Sequence, residues 1–215
     1  MTGKEILLKA LKFEETPRLP VGVLDGYAWI LNRTGKSFQD LFDDAGSARL
    51  VAEHYRLLQS DIAYMNGHVF NVVHRTMGGT VQFGHIGESV EITAPPLAEI
   101  GDYTKFDATQ VMQASLEAPE YRQTLAQAKE LASLLGQEKL VAALSYAPFT
   151  VAGMLAGVQN FMAAMFDDED ETLGLVDFAA DLVIQSAEAF VACGAEAVFL
   201  ADPVASGDLI SPDCY

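Results

Sequence analysis

Carboxylate and hydroxyl side chains follow an apolar run near the end of the sequence, in a pattern suited to ligand binding or acid–base chemistry. Asp202, Ser206 and Asp208 come after residues 197–201, which are all apolar. Such a run is typical of a strand that is buried on both faces of a parallel sheet. Functional groups in such sheets gather beyond the carboxyl ends of the strands. The same residues also suit a solvated turn in which Asp and Ser cap a helix, so both interpretations are open.

Polar residues also accompany three earlier segments that the sequence pattern predicts to be strands, at 19–24, 62–65 and 140–144. Right-handed strand–helix–strand crossovers leave successive strands adjacent, with their carboxyl ends together. We therefore expect one pocket at the strand ends, lined by Asp25, Asp61, Asn66, His68, Tyr146, Asp202 and Ser206.

Helical patterns separate these strands and must position them. Thr2 and Glu5 have the spacing of a capping box, which predicts a first helix through about Lys12. Paired glycines and alternating apolar residues over 77–92 predict a β-hairpin outside the main alternation. Apolar residues at helical spacing predict further helices over 119–135, about 150–166 and 168–193. Strands alternating with helices in this way indicate a single α/β domain over residues 1–215, with a parallel sheet.

The charge balance excludes two classes of partner. The chain has 13 basic and 30 acidic residues, which give it a net charge of −17. Nucleic acid and anionic membrane surfaces would repel such a chain, so neither is expected as a partner. No apolar run approaches the roughly 20 residues that a membrane-spanning helix needs.

Cysteine usage and the amino terminus favour a reducing compartment. Cys193 and Cys214 form neither a CxxC pair nor a disulfide framework. The first residues, MTGKEILLKAL, are amphipathic and lack the small-residue cleavage pattern of a secretory signal. We therefore expect the protein to be cytoplasmic.

Three separated stretches resemble the uroporphyrinogen decarboxylase superfamily, in the right order along the chain. They are RLPV at 18–21, YAPFTVAG at 146–153 and ADPVASGDLISP at 201–212. The sequences of the last two stretches resemble the methylcobamide:coenzyme M methyltransferase branch more closely than the decarboxylases. The resemblance covers essentially the whole chain, and it implies a (β/α)₈ TIM barrel with its active site at the carboxyl ends of the strands.

The implied barrel is incomplete in this sequence. A TIM barrel usually takes about 250 residues, whereas only about four barrel strands are predicted before Tyr215. The chain therefore resembles the amino-terminal portion of a family member, truncated at its carboxyl end. A half barrel has unpaired strand edges, so either a remainder of the protein or a second copy must cover them. Self-association into a homo-oligomer is one expected outcome.

Residues after the first strand argue against a decarboxylase activity, whereas residues at the second strand match it. The resemblance implies arginines just after the first strand, where they bind substrate carboxylates, but GVLDGYA at 22–28 contains none. It also implies an essential aspartate at the end of the second strand, in a Ser-Asp-Ile context that Ser60-Asp61-Ile62 matches. Asp61 would then be the catalytic carboxylate that stabilises a positively charged pyrrole intermediate. A structural role for Asp61, as a cap or ion-pair partner, is equally open.

The methyltransferase branch implies a zinc ion that activates a thiol and is held by a His-x-Cys pair and a later cysteine. No His-x-Cys occurs in this chain, so we expect no metal site in it. Zinc is expected only if a longer chain supplies the ligands. Methylcobamide would be a co-substrate rather than a cofactor bound by this chain alone.

The first hypothesis is a corrinoid-dependent methyltransferase. It would move a methyl group between a methylated corrinoid and a thiol or similar acceptor, with a corrinoid protein or a small-molecule methyl acceptor as partner. One alternative is uroporphyrinogen decarboxylase, which acts in tetrapyrrole biosynthesis. The other is an inactive truncated fragment that acts only through protein association at its open sheet edge.

Overall fold

The computed structural model describes residues 1–24, 26–43, 46–65, 69–86 and 90–211. The helices are α1 (Gly3–Leu11), α2 (Gly26–Thr34), α3 (Phe38–Asp43), α4 (Ser47–Leu57), α5 (Phe70–Thr76), α6 (Ala108–Glu117), α7 (Pro119–Leu135), α8 (Pro148–Ala156), α9 (Val158–Asp167) and α10 (Glu169–Ala192). The strands are β1 (Ile62–Met65), β2 (Thr80–Phe83), β3 (Val90–Ala94), β4 (Leu140–Tyr146) and β5 (Ala197–Ala201). Short 3₁₀ helices span Ile100–Lys105 and Pro203–Ala205.

A three-stranded parallel sheet with β4 at its centre organises the described part of the chain. Its strand order is β1-β4-β5, with Ile62 beside Leu140 and Ala142 beside Ala197. The predicted strands at 62–65, 140–144 and 197–201 are confirmed, and β4 continues two residues further, to Tyr146. The predicted α/β class with a parallel sheet is therefore confirmed.

The predicted strand at 19–24 is wrong. The Val21 carbonyl accepts a hydrogen bond from the Asp61 N–H at 2.7 Å, and among the described residues this is the only backbone–backbone bond that the segment forms. The N–H of Val21 donates instead to the Asp61 carboxylate at 2.8 Å, and the N–H of Val23 donates to the Ser60 hydroxyl at 3.3 Å. Side chains thus occupy the donors that a ladder of backbone bonds would use. The described parallel sheet has three strands rather than the expected four.

Helix α1 docks against the amino-terminal end of the sheet. The predicted capping box is confirmed, because Thr2 accepts from the Glu5 N–H and the Glu5 carboxylate accepts from the Thr2 N–H. The N–H of Lys4 donates to the Glu138 carbonyl at 3.0 Å, and its ammonium donates to the Gly136 carbonyl at 2.8 Å. These bonds join the start of the chain to residues more than 130 positions later.

A long helix directly precedes each of the strands β4 and β5. The predicted helix over 119–135 is confirmed as α7, which begins with Pro119 in its first turn and buries Tyr121 against Ser186. The helix predicted over 168–193 is confirmed as α10, which starts after Asp168, whose carboxylate accepts from the Glu171 N–H at 3.2 Å. A proline at the first position and an Asp cap are favoured helix starts.

The single helix predicted over 150–166 is instead two helices, α8 and α9, bent by 105°. The break falls at Gly157, whose φ of 79° lies in the left-handed region that glycine adopts without strain. In the described ranges, no single helix is long and apolar enough to cross a membrane. The bent pair of α8 and α9 reaches that length and composition only when both helices are taken together.

The predicted β-hairpin is confirmed as the antiparallel pair of β2 and β3. It follows α5 and is attached to that helix through His74, whose Nε2 donates to the Ala94 carbonyl at 2.9 Å. The chain after β3 is then tied to α8, because the Leu97 N–H donates to the Leu155 carbonyl at 3.1 Å.

Strand β5 exposes apolar side chains on both faces. Val198, Phe199 and Leu200 have 36%, 40% and 49% of their surface exposed. Within the described residues β5 pairs with β4 alone. Strand β5 is therefore less covered than β1 and β4.

Candidate functional site at the carboxyl ends of the strands

Strands β4 and β5 end side by side. Tyr146 lies opposite Ala201 in the parallel register, and the Ala147 N–H donates to the Ala201 carbonyl at 2.9 Å. The next residue after Ala201 is Asp202. The expectation that Tyr146 and Asp202 lie at the same end of the sheet is therefore confirmed.

Asp202 is fixed by the start of α8. Its Oδ1 atom accepts hydrogen bonds from the Thr150 N–H at 2.9 Å and from the Thr150 hydroxyl at 2.5 Å. Thr150 is only 2% exposed, so both bonds are shielded from water. The Thr150 hydroxyl in turn accepts from the Val204 N–H at 3.2 Å. One buried threonine thus links the end of β5 to the helix that follows β4.

The local sequence explains why this link forms. Pro148 is the first residue of α8, so Thr150 lies in the first turn, where a backbone N–H has no acceptor within the helix. A carboxylate supplies that acceptor and interacts favourably with the positive end of the helix dipole. Since Oδ1 takes both bonds, Oδ2 of Asp202 has no hydrogen-bond partner in the described part of the chain. It can accept a hydrogen bond from a ligand.

Ser206 lies at the same end of the sheet as Asp202. It follows the 3₁₀ helix Pro203–Ala205, which packs against α8. The Ser206 carbonyl accepts from the N–H groups of Leu209 and Ile210, at 2.9 and 3.0 Å. These bonds close a turn that holds residue 206 beside the strand ends.

Aromatic side chains cover one face of the sheet. The rings of Tyr64 and Phe199 meet edge to face, with centroids 5.7 Å apart. Tyr64 is buried, and this burial raises the pKa of its hydroxyl above the ordinary value. Its hydroxyl therefore remains protonated at neutral pH and can donate a hydrogen bond.

Asp61 lies at the opposite end of the sheet from Tyr146 and Asp202. It precedes β1, and its carbonyl accepts from the N–H of Leu140, the first residue of β4. At about 3.3 Å per residue, the length of β4 separates Asp61 from Tyr146 by roughly 20 Å. The prediction that Asp61 shares one end of the sheet with these residues is wrong, because its Ser-Asp-Ile context begins the strand instead of ending it. Its catalytic role stays a prediction.

The carboxylate of Asp61 is held by Arg18. The two guanidinium nitrogens lie 2.6 and 2.7 Å from its oxygens, and the Val21 N–H donates a further bond. Hydrogen bonding to Arg18, with a smaller contribution from the Val21 N–H, lowers the pKa of Asp61. The carboxylate is therefore ionised and fully occupied by contacts within the protein.

The comparisons with known proteins identify the family. A family model described as uroporphyrinogen decarboxylase (URO-D) matches residues 2–215. The chain belongs to the uroporphyrinogen decarboxylase family. A solved structure of a methyltransferase from Methanosarcina mazei matches 100% of this chain, with a TM-score of 0.83 and 24% sequence identity. The fold of this uroporphyrinogen decarboxylase family member is thus part of a (β/α)₈ barrel, as expected.

Curated relatives of this family member carry methyltransferase names. The chain is 24% identical over its whole length to the methylcobamide:CoM methyltransferase MtaA of Methanosarcina barkeri. It is 44% identical over 69 residues, 32% of the chain, to the methylated-thiol–coenzyme M methyltransferase of Methanosarcina mazei, of which it covers 19%. The chain spans 62% of MtaA and 63% of the solved methyltransferase chain.

Three of the predicted site residues, Asp25, Asn66 and His68, lie outside the described residues. Within the described ranges, no group of three or more His, Cys, Asp or Glu side chains converges to hold a metal ion. The described donors therefore do not fit the zinc site that the resemblance implies for a methyltransferase.

In this uroporphyrinogen decarboxylase family member, two contacts of the predicted site residues were not expected from the sequence. Thr150 was not identified as the partner of Asp202, although Pro148 predicts a helix start that places Thr150 in the first turn. Arg18 was not identified as the partner of Asp61. The sequence carries no local signal for that pair, because 43 positions separate the two residues.

Proposed function

We propose that this chain is part of a corrinoid-dependent methyltransferase that moves a methyl group between a methylated corrinoid and a thiol or similar acceptor. One observation carries the proposal. Two relatives that match the entire chain, MtaA and MtbA, are named methylcobamide:CoM methyltransferases. In this reaction a thiolate sulfur attacks the methyl carbon, the carbon–cobalt bond breaks with its electron pair left on cobalt, and a thioether forms.

The carboxyl-end site supplies groups that suit substrate binding. Asp202 presents one carboxylate oxygen, and the bonds to Thr150 fix its orientation. Preorganised polar groups lower the cost of ordering a ligand. Tyr146 and Ser206 would complete the described polar lining, and we propose that Asp25, Asn66 and His68 belong to the same pocket. The exposed ring of Phe199 adds apolar surface suited to a large macrocycle.

We assign no step to zinc, because the described side chains do not converge on a metal site. The residues of this chain would bind and orient the substrates. Activation of the thiol would depend on groups that these residues do not include.

A second candidate is decarboxylation of uroporphyrinogen, which the description of the matching family favours. The segment 22–28 contains no arginine to bind the substrate carboxylates. We therefore rank this activity below methyl transfer.

The proposal is tested by incubating the chain with methylcobalamin and 2-mercaptoethanesulfonate, with and without added zinc. Thioether formation is followed by mass spectrometry, and loss of the methylcobalamin by absorbance. We expect transfer above the rate without protein. Asp202→Asn should lower it by about tenfold, as expected for loss of a charged hydrogen-bond partner. Asp177→Asn, at an exposed position on α10, is the matched control.

Two results would contradict the proposal. One is the absence of both methyl transfer and methylcobalamin binding, judged by absorbance difference spectra of the wild-type chain. The other is formation of coproporphyrinogen from uroporphyrinogen at an enzymatic rate, which would establish the second candidate.

A further inference from the structure

A cleft of about 770 Å³ opens at the amino-terminal end of the parallel sheet, far from the candidate site. We call it the basal cleft and define it by the residues that line it and bear on its chemistry, which are Gly3, Arg18, Arg56, Asp61, Glu138 and Lys139. The amino-terminal ends of barrel strands usually serve stability rather than catalysis. A binding function at this end would therefore be separate from the proposed methyl transfer.

The basal cleft is positively charged within an acidic protein. Its lining contains three cationic side chains and two carboxylates, whereas the whole chain has a net charge of −17. Arg18 is paired with Asp61, and Arg56 with Glu138 at 3.0 Å. The remaining positive charge belongs to Lys139.

Lys139 is buried and forms no ion pair with the described residues, although the nearby Glu138 and Asp61 carboxylates oppose the effect of burial, which lowers the pKa of its ammonium. Its side chain lines the cleft although the residue is only 8% exposed. The ammonium donates to the Ser60 carbonyl at 2.5 Å, and this is its only hydrogen bond to the described residues. An ammonium group has three N–H donors, so two remain. A buried charge is costly unless a counter-charge and hydrogen bonds accompany it.

The start of α1 adds a second donor to the basal cleft. The N–H groups of Lys4 and Glu5 are bonded to the Glu138 carbonyl and the Thr2 side chain. The N–H of Gly3 has no acceptor in the described part of the chain. A Cβ atom at Gly3 would overlap the Asp61 carboxylate, so glycine permits this close approach of the helix start. Helix starts favour anions through free N–H groups and the helix dipole.

We propose that the basal cleft binds a small anion with a carboxylate or phosphate group. The Lys139 ammonium is its main charge partner, and the Gly3 N–H donates a second hydrogen bond. The volume of the cleft accommodates the organic portion of such a ligand as well as its anionic group.

Calorimetric titration of the wild-type chain with inorganic phosphate and with succinate, at constant ionic strength in chloride, tests this proposal. We expect saturable binding of one anion per chain. Binding of phosphate alone assigns a phosphoryl ligand, and binding of succinate alone assigns a carboxylate ligand. Lys139→Met should weaken binding by at least about tenfold, since hydrogen bonds to charged groups are strong. Lys129→Met, at an exposed position on α7, is the matched control and should bind as the wild type does.

The proposal is overturned if neither anion binds saturably, or if Lys139→Met binds as tightly as the wild type. Should Lys139→Met fail to fold by circular dichroism, acetylation of Lys139 in the wild-type chain decides. Slower acetylation in the presence of phosphate or succinate supports the site, and an unchanged rate overturns it.

Discussion

Arg18 and Asp61 form a two-point ion pair, with Nη1 2.6 Å from Oδ2 and Nη2 2.7 Å from Oδ1. The two partners differ in exposure, because the Asp61 side chain is 3% exposed and the Arg18 side chain is 47% exposed. The carboxylate is therefore far more desolvated than the guanidinium. The pair ties the segment before α2 to the start of β1.

This asymmetry predicts different costs for removing each partner. Asp61→Asn leaves a guanidinium that water can solvate, and we expect a loss of about 1–3 kcal/mol in the free energy of unfolding. Arg18→Met leaves a buried carboxylate unpaired and should cost more. Urea denaturation measures both variants. Arg75→Met, in a pair whose Glu120 carboxylate is more exposed than that of Asp61, should change stability little. An equal or smaller loss in Arg18→Met than in Asp61→Asn contradicts the prediction.

The contact between Thr150 and Asp202 predicts coupled effects on stability. Thr150→Val removes the hydroxyl donor at nearly constant volume, and we expect it to lower the free energy of unfolding by about 1–2 kcal/mol. In a double-mutant cycle with Asp202→Ala, the coupling should reach about 0.5–3 kcal/mol. The same cycle with Asp208→Ala is the control and should give additive changes. Additivity between Thr150→Val and Asp202→Ala would show that the contact does not form.

His74 predicts that stability depends on pH near neutrality. Burial lowers the pKa of His74 from its ordinary value of about 6.5, so the folded chain keeps this imidazole neutral. Below about pH 6.5 the unfolded chain binds a proton that the folded chain does not bind, and stability falls until the folded-state pKa is reached. Asp61, whose pKa is also lowered, adds a loss only below about pH 4.

The measurement is urea denaturation at intervals from pH 7.5 to 4.5. His74→Phe should be less stable at pH 7.5, because it loses the bond to the Ala94 carbonyl, but its stability should change less as the pH falls to 5. A pH dependence in His74→Phe equal to that of the wild type would refute the assignment.

The sequence was informative where one physical signal dominates. Residues 140–144 and 197–201 are uninterrupted apolar runs, and Pro119 begins α7 where proline is favoured. The break at Gly157 was missed, because the apolar pattern continues across it. Residues 19–24 do not form the predicted strand, because the Val21 N–H donates to the Asp61 carboxylate instead of to a neighbouring strand. This partner lies 40 positions away from Val21, so no local pattern shows it. Asp61 is a different case, because a strand at 62–65 already has residue 61 at its amino-terminal end, and only the Ser-Asp-Ile resemblance implied the other end.

We predict that this chain does not convert uroporphyrinogen to coproporphyrinogen. The positions expected to hold carboxylate-binding arginines carry Leu24, Asp25 and Ala28, and a carboxylate there repels the substrate. Incubation with the substrate under reducing conditions, followed by chromatography of the oxidised porphyrins, measures the conversion. Turnover on the order of 1 per second or faster disproves the prediction.

The exposed strand β5 predicts self-association of the 215-residue chain. Its side chains Val198, Phe199 and Leu200 are 36–49% exposed, and exposed apolar strands favour association. We expect light scattering to give a mass above 23.2 kDa, or a hydrophobic dye to fluoresce on binding. Phe199→Lys should reduce either signal. Phe166→Lys, on α9 and away from the sheet, should not. A monomeric wild-type chain that binds no dye rules out this prediction.

The docking of α1 through Lys4 has a consequence for the order of events during synthesis. The acceptors of its N–H and ammonium groups belong to Glu138 and Gly136, so the helix cannot complete its contacts until those residues leave the ribosome. At roughly 5–20 residues per second, the first helix waits on the order of ten seconds for its docking surface. During that interval Ile6, which is buried in the folded chain, faces solvent or a chaperone. Helix α1 therefore reaches its final place only after the segment between α7 and β4 has been made.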